Sequence, residues 1–125
     1  MKYLGIDYGK KRIGLAASDN GILARPIAPI QNKGDRKNIA AISQLKPDII
    51  VLGVPLSKDD METDMSREIR RFGAVLAAEL GVNVVYHNER YSSLEAQQLI
   101  NTTKLRETLD SVAAAVILQS WINTK

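Results

Sequence analysis

The chain has 125 residues, 45% hydrophobic and 25% charged, a size and composition that fit one globular domain with its own core and exclude a disordered chain. No apolar run reaches the roughly 18 residues that span a bilayer, the opening Met1-Lys2-Tyr3-Leu4-Gly5-Ile6-Asp7 breaks too soon for a signal peptide, and the lack of cysteine excludes disulfides and thiolate sites, so a cytoplasmic protein is expected. The net charge is +3, and residues 1–37 hold eight Lys/Arg against three Asp, an excess that suits a polyanionic partner or a plain solvated surface.

Residues 2–8 read as a strand and residues 12–18 as a second, with Ile13, Leu15 and Ala17 on one face. The short link Gly9 to Lys11 predicts an antiparallel hairpin. After the turn signal Asp19-Asn20-Gly21, Ile22 to Ile30 predicts a third strand, confined to a sheet edge by Pro26 and Pro29. Gly34-Asp35 opens a helix marked by Ile39, Ile42 and Leu45, with Asp35 as its N-cap. Asp48 to Val54 is nearly continuous in apolar residues, the pattern of a strand buried on both faces. Beyond Pro55 and a polar loop, Met65, Ile69, Phe72, Leu76 and Leu80 form one helical stripe closed by Gly81. Val82 to His87 predicts the fifth strand. Ser92-Ser93-Leu94-Glu95 is a capping box for a third helix, and Thr108 or Asp110 starts a last helix running to Trp121. An antiparallel meander followed by alternating helices and buried strands predicts an α/β fold: a mixed sheet with helices on its faces.

Asp7 is the anomaly in this pattern. A carboxylate inside an apolar strand is costly unless donors, a cation or a metal compensate it. Gly5, Gly9 and Gly14 thin its surroundings, which lets a ligand or a neighbouring backbone come close. Glu89, just past the fifth strand, and Asp110, at the start of the last helix, also sit at the boundary of buried elements. With the first strand central, the three converge at one end of the sheet. Three carboxylates suit hard divalent cations, Mg²⁺ by default where phosphate oxygens complete the shell, and two such ions would clamp an in-line phosphodiester displacement. Singly, each acid has a plainer explanation. Backbone donors, Lys10 or Arg12 could satisfy Asp7, Glu89 could be a surface partner of Arg90, and Asp110 could be a helix cap. Only the set points to chemistry.

Gly5-Ile6-Asp7-Tyr8-Gly9 with Lys11-Arg12-Ile13-Gly14 resembles the opening motif of the YqgF family, also called RuvX-like. Val51-Leu52-Gly53-Val54-Pro55-Leu56, Asn88-Glu89-Arg90-Tyr91-Ser92-Ser93-Leu94-Glu95-Ala96 and Asp110-Ser111-Val112-Ala113-Ala114 resemble its later motifs, in the family's order and over essentially the whole chain. The resemblance implies an RNase H-like sheet of strand order 3-2-1-4-5, strand 2 antiparallel, in a single domain over residues 1–125. It also implies a Mg²⁺- or Mn²⁺-dependent endonuclease with one or two ions on Asp7, Glu89 and Asp110, leaving 3′-hydroxyl and 5′-phosphate ends. Processing of the 5′ end of precursor 16S rRNA is the implied role, with resolution of Holliday junctions as the older proposal for such proteins.

Lys10, Lys11, Arg12, Arg90, Lys104 and Arg106 are the candidate nucleic-acid contacts, while Arg67, Arg70 and Arg71 read as the solvated side of an amphipathic helix. Tyr8, Tyr86 and Tyr91 are candidate stacking residues, Trp121 reads as core packing, and His87 as structural or at the substrate's edge. Expected partners are precursor rRNA or branched DNA and ribosomal particles, with no membrane, and the chain is expected to be a monomer or weak homodimer. The sequence departs from the family pattern at three places: Asn88 stands where an aspartate is usual, the loop 57–62 lacks a glycine, and 101–109 is short. Two other readings share these residues. An Asp-x-Gly hairpin also occurs in actin-like and sugar kinases, which need two such domains around a nucleotide. Asn88 is the hint of a non-catalytic RNA-binding assembly factor.

Overall fold

The computed structural model describes residues 1–89, residue 98 and residues 109–125, with 109 and 110 described by their backbone alone. β1 (Tyr3–Tyr8), β2 (Arg12–Ser18) and β3 (Arg25–Gln31) form the antiparallel meander. α1 (Asp35–Ser43) leads into β4 (Ile49–Val54), and α2 (Asp64–Leu80) into β5 (Asn83–Asn88). The last described helix is α3 (Leu109–Ile122). The five strands lie in the order β3-β2-β1-β4-β5, with β1, β4 and β5 parallel, as expected. The capping box expected at 92–95 lies outside the described residues.

Alternation along the strands divides the core in two. Leu4 and Ile6 of β1, Ile13 and Leu15 of β2, and Ile50, Leu52 and Val54 of β4 pack with Ile42 of α1 and with Ile69, Phe72 and Leu76 of α2. The opposite face of the sheet carries Ala16 and Val51, packed against Ala114, Ala115, Ile117 and Leu118 of α3. α2 therefore buries the stripe its periodicity announces. Thr63 and Ser66 close its N-terminus in a capping box, and Gly81 closes its C-terminus in the left-handed conformation.

α3 rests on Gly5. A Cβ there would lie 2.7 Å from Leu118 Cβ and 2.8 Å from the Ala114 carbonyl oxygen, so the missing side chain lets helix and strand meet backbone to backbone. Of the two uses expected for this glycine, the neighbouring backbone takes it. The far end of α3 is tied down by buried Gln119, which accepts from Ala24 N at 2.8 Å and donates to the Ile22 carbonyl at 2.9 Å.

Several boundaries differ from expectation, most of them by a single residue. β3 starts at Arg25 rather than Ile22, because the Asn20 carboxamide captures the Ile22 and Leu23 amides (2.8 and 3.2 Å) and Gln119 captures Ala24. The N-cap of α1 is Gly34, at φ 96°, and not Asp35. Asp35 lies in the first turn and pairs with Arg71 of α2 at 2.6 Å, which joins the two helices. β5 is shifted one residue onward, and its last residue, Asn88, pairs with Val54 of β4. Among the described residues, no helix is long and apolar enough to cross a membrane.

Candidate active site

Asp7 is the penultimate residue of β1 and pairs with Gly14 across the hairpin. Its neighbours Ile6 and Tyr8 face α2, so alternation turns Asp7, with Tyr3 and Gly5, toward the α3 side. The same alternation in β5 turns Val85 and His87 toward α3. Glu89 follows at the end of this strand, half-buried. Its position is defined by Gly53 of β4. A Cβ on Gly53 would lie 2.9 Å from Glu89 Oε1 and 3.1 Å from Ile117 Cγ1 of α3. The carboxylate thus occupies space that any other residue at 53 would fill. Burial raises the Glu89 carboxyl above the usual carboxylate range.

α3 runs antiparallel to β1. Trp121 stacks on Tyr3 at the start of the strand, with ring centroids 5.8 Å apart, and Ala114 and Leu118 cover Gly5 at its middle. Residue 110 precedes Ala114 by one helical turn, in line with it and with Leu118, and so its backbone lies toward the end of β1 that carries Asp7. The Asp110 side chain lies outside the described residues, as do Arg90, Tyr91, Lys104 and Arg106.

Carboxylate oxygens are the ligand type a hard cation takes, and among the described residues no group of three such side chains is assembled. Asp7 and Glu89 offer oxygen ligands on one face of the sheet, and the cradle over Gly53 holds Glu89 where loss of water penalises its charge, a penalty that a nearby cation relieves. Gly53→Ala should therefore displace the carboxylate. For the endonuclease that the sequence resembles, the expected loss is about 10²-fold in cleavage rate, as for a ~1 Å misplacement of a reacting group. The measurement is kcat with Mn²⁺, with the melting temperature followed in parallel.

The remaining candidates separate cleanly. Lys10, Lys11 and Arg12 are exposed at the hairpin beside Asp7. Lys10 also lines a cavity of about 460 Å³ with Tyr8, Asn32, Asp64, Met65 and Glu68. Tyr8 packs its ring on Phe72 at 4.9 Å, and Tyr86 is engaged with α2, its hydroxyl donating to the Arg70 carbonyl under the Arg70 guanidinium. His87 is buried, its Nε2 3.0 Å from Ser120 Oγ of α3, and burial holds its pKa below the ordinary histidine value.

Asn88 faces away from Glu89 by alternation and donates from Nδ2 to Asp60 Oδ1 at 3.1 Å. An aspartate at 88 would set two carboxylates against each other, so the departure at 88 is matched to the acid in the 57–62 loop. Asp60 itself stands at φ 59°, a backbone region that favours glycine, in the loop that lacks one. Sequence reasoning missed the role of Gly53. Its signal was a lone glycine in a continuous apolar strand, the mark of a close approach.

The RuvX family model, described as Holliday junction resolvase, matches residues 1–124. A protein of Anaeromyxobacter dehalogenans named "Putative pre-16S rRNA nuclease" is 36% identical over 100% of this chain and 98% of its own length. A protein of Burkholderia lata with the same name is 37% identical over 96% of this chain and 87% of its own. Among solved structures, Thermus thermophilus RuvC in complex with a Holliday junction substrate superposes with a TM-score of 0.64 at 14% identity, over 96% of this chain and 92% of that one, and shares the fold. A Cytophaga hutchinsonii protein described as a "putative sugar kinase" superposes with a TM-score of 0.51 at 12% identity. It covers 80% of this chain but only 40% of the kinase, a likeness of fold in one part of a larger protein.

Proposed function

Since the chain belongs to the RuvX (YqgF) family, we propose that it is an endonuclease for structured nucleic acid, with precursor 16S rRNA as its substrate. One observation carries the reading: the Glu89 carboxylate is seated over Gly53 on the side of the sheet to which Asp7 turns, at the same strand ends. Asp7, Glu89 and Asp110 are the residues that would hold one or two Mg²⁺ or Mn²⁺ ions. A bound ion supplies positive charge for the in-line displacement at phosphorus.

The chain's own residues do the rest. Lys10, Lys11 and Arg12, beside Asp7, bind the phosphates that flank the scissile bond. The α3 face of the sheet, closed by Ile117 and Val51, limits the water around Glu89 and strengthens every charge interaction there. His87 takes no proton in the reaction, being engaged with Ser120 beneath the site.

The test is side-by-side cleavage of a precursor 16S rRNA fragment and a four-way DNA junction, with Mg²⁺ and with Mn²⁺, using Asp7→Asn as the control. Cleavage of the rRNA fragment by the unaltered chain alone is the expected result. Preferential cleavage of the junction would move the substrate to branched DNA. Salt-dependent RNA binding without cleavage under either metal would overturn the nuclease reading in favour of an assembly factor.

A further inference from the structure

We propose that the edge running from the β1–β2 hairpin to the start of α1 is a phosphate track for a double-helical arm of the substrate, carried by Lys10, Lys11, Lys33 and Lys37. The inference rests on the endonuclease reading above and extends its contacts away from the cleavage site. The topology brings these residues together. β1 ends, β2 begins, β3 ends and α1 begins at the same end of the sheet, with Arg12 of β2 paired to Gln31 of β3.

Asn32 ties the pieces into one surface. Its backbone N–H donates to the Lys11 carbonyl at 2.9 Å, and its Nδ2 donates to the Gly9 carbonyl at 2.8 Å. Its Oδ1 accepts from Asn38 Nδ2 at 2.9 Å, and Asn38 Oδ1 accepts from the Lys33 amide at 3.1 Å. Asn38 is buried, so the network that sets the spacing of the lysines is anchored in the fold.

Charge pairing separates this edge from α2. On α2, Arg67 pairs with Asp64, Arg70 with Glu62, and Arg71 with both Asp35 and Glu68. Among the described residues, no carboxylate lies within ion-pair distance of Lys10, Lys11, Lys33 or Lys37. Lys33 and Lys37 flank a depression of about 360 Å³ lined also by Ile30, Gln31 and Ala41, with no acid among these residues. Unneutralised lysines at such spacing meet a polyanion by releasing its counterions.

That lining holds no aromatic side chain on which the bases of a single strand would stack, and Tyr8, in the Lys10 cavity, is packed on Phe72. Single strands are held largely by stacking their bases on rings, whereas a double helix keeps its bases stacked internally and presents its phosphates outermost. The duplex arm therefore leaves the carboxylates past the hairpin and along α1, on the β3 side of the molecule.

The experiment measures binding rather than cleavage, so its failure is separable from failure of the nuclease reading. Fluorescence anisotropy would follow a labelled 16-base-pair RNA duplex, a DNA duplex and a single strand of the same sequence, all with the Asp7→Asn chain so that the probes survive. Adding Lys33→Gln and Lys37→Gln should lower the slope of log K against log salt by about 2 for duplex, as for two lost phosphate contacts. The control pair Lys46→Gln and Arg67→Gln removes equal charge elsewhere and should leave the slope in place. A fall on either duplex supports the track, and the duplex that responds identifies the arm as RNA or DNA. An unchanged slope, an equal fall in the control pair, or a fall confined to the single strand would overturn it. Melting curves confirm that each variant is folded.

Discussion

Asp7→Asn is expected to reduce cleavage by about 10²–10³-fold or more while folding and nucleic-acid binding persist. Asparagine keeps the shape of the side chain but loses the charge, and its amide nitrogen is a donor where the site calls for an acceptor. Asp7 is only half-buried, at the end of its strand, and the packing of β1 depends instead on Leu4, Ile6 and the close approach of α3 at Gly5. The melting temperature should therefore move little. The check is a single-turnover cleavage assay beside an anisotropy titration of the same substrate. Full cleavage by a clean Asp7→Asn preparation would remove this residue from the site, and loss of binding together with cleavage would make it a substrate contact instead.

Glu89→Gln should produce opposite changes in activity and in stability: cleavage is lost while the metal-free protein becomes more resistant to heat at pH 7. The sign follows from burial. The Glu89 carboxyl is held above its ordinary value of 4.5 in the folded chain. Below that value both folded and unfolded chains carry the proton, and no difference arises. As the pH rises past it, the unfolded chain ionises first, so stability falls until the folded carboxyl has ionised as well, and stays lowered above that point. Glutamine removes this loss.

His87 works in the other direction. Burial holds its pKa below the ordinary 6.5, so the unfolded chain takes up the proton first as the pH falls, and stability declines on the acid side of that value. The two dependences oppose each other in mildly acidic solution, and comparing Glu89→Gln with the unaltered chain across pH 5–8 isolates the carboxylate's share. Added Mn²⁺ should raise the melting temperature of the unaltered chain more than that of Glu89→Gln. Equal shifts in the two proteins would place the ion elsewhere.

Much of the architecture was readable because it rests on periodicity. The apolar run of β4, the stripe from Met65 to Leu80 and the prolines of β3 each obey a local rule that the tertiary structure does not override. What escaped the sequence depends on partners far along the chain. The start of β3 is set by Gln119, and the position of Asp35 by Arg71. Likewise, Asp7 and Glu89 stood out as acids at the ends of apolar strands, whereas Gly53 declares its purpose only when Glu89 Oε1 and Ile117 are seen against it. α3 offered little pattern to read, since Ala113-Ala114-Ala115 and Ile117-Leu118 make it apolar nearly all round, and only the packing of Ala114 and Leu118 on Gly5 identifies its inner face.

That packing also sets a timetable. The surface on which α3 rests is made by β1, about a hundred residues earlier in the chain, so it is synthesised well before the helix that covers it. A nascent chain can build the hairpin and pair β4 and β5, yet the proposed carboxylate set stays incomplete until residues 109–122 emerge and dock onto Gly5.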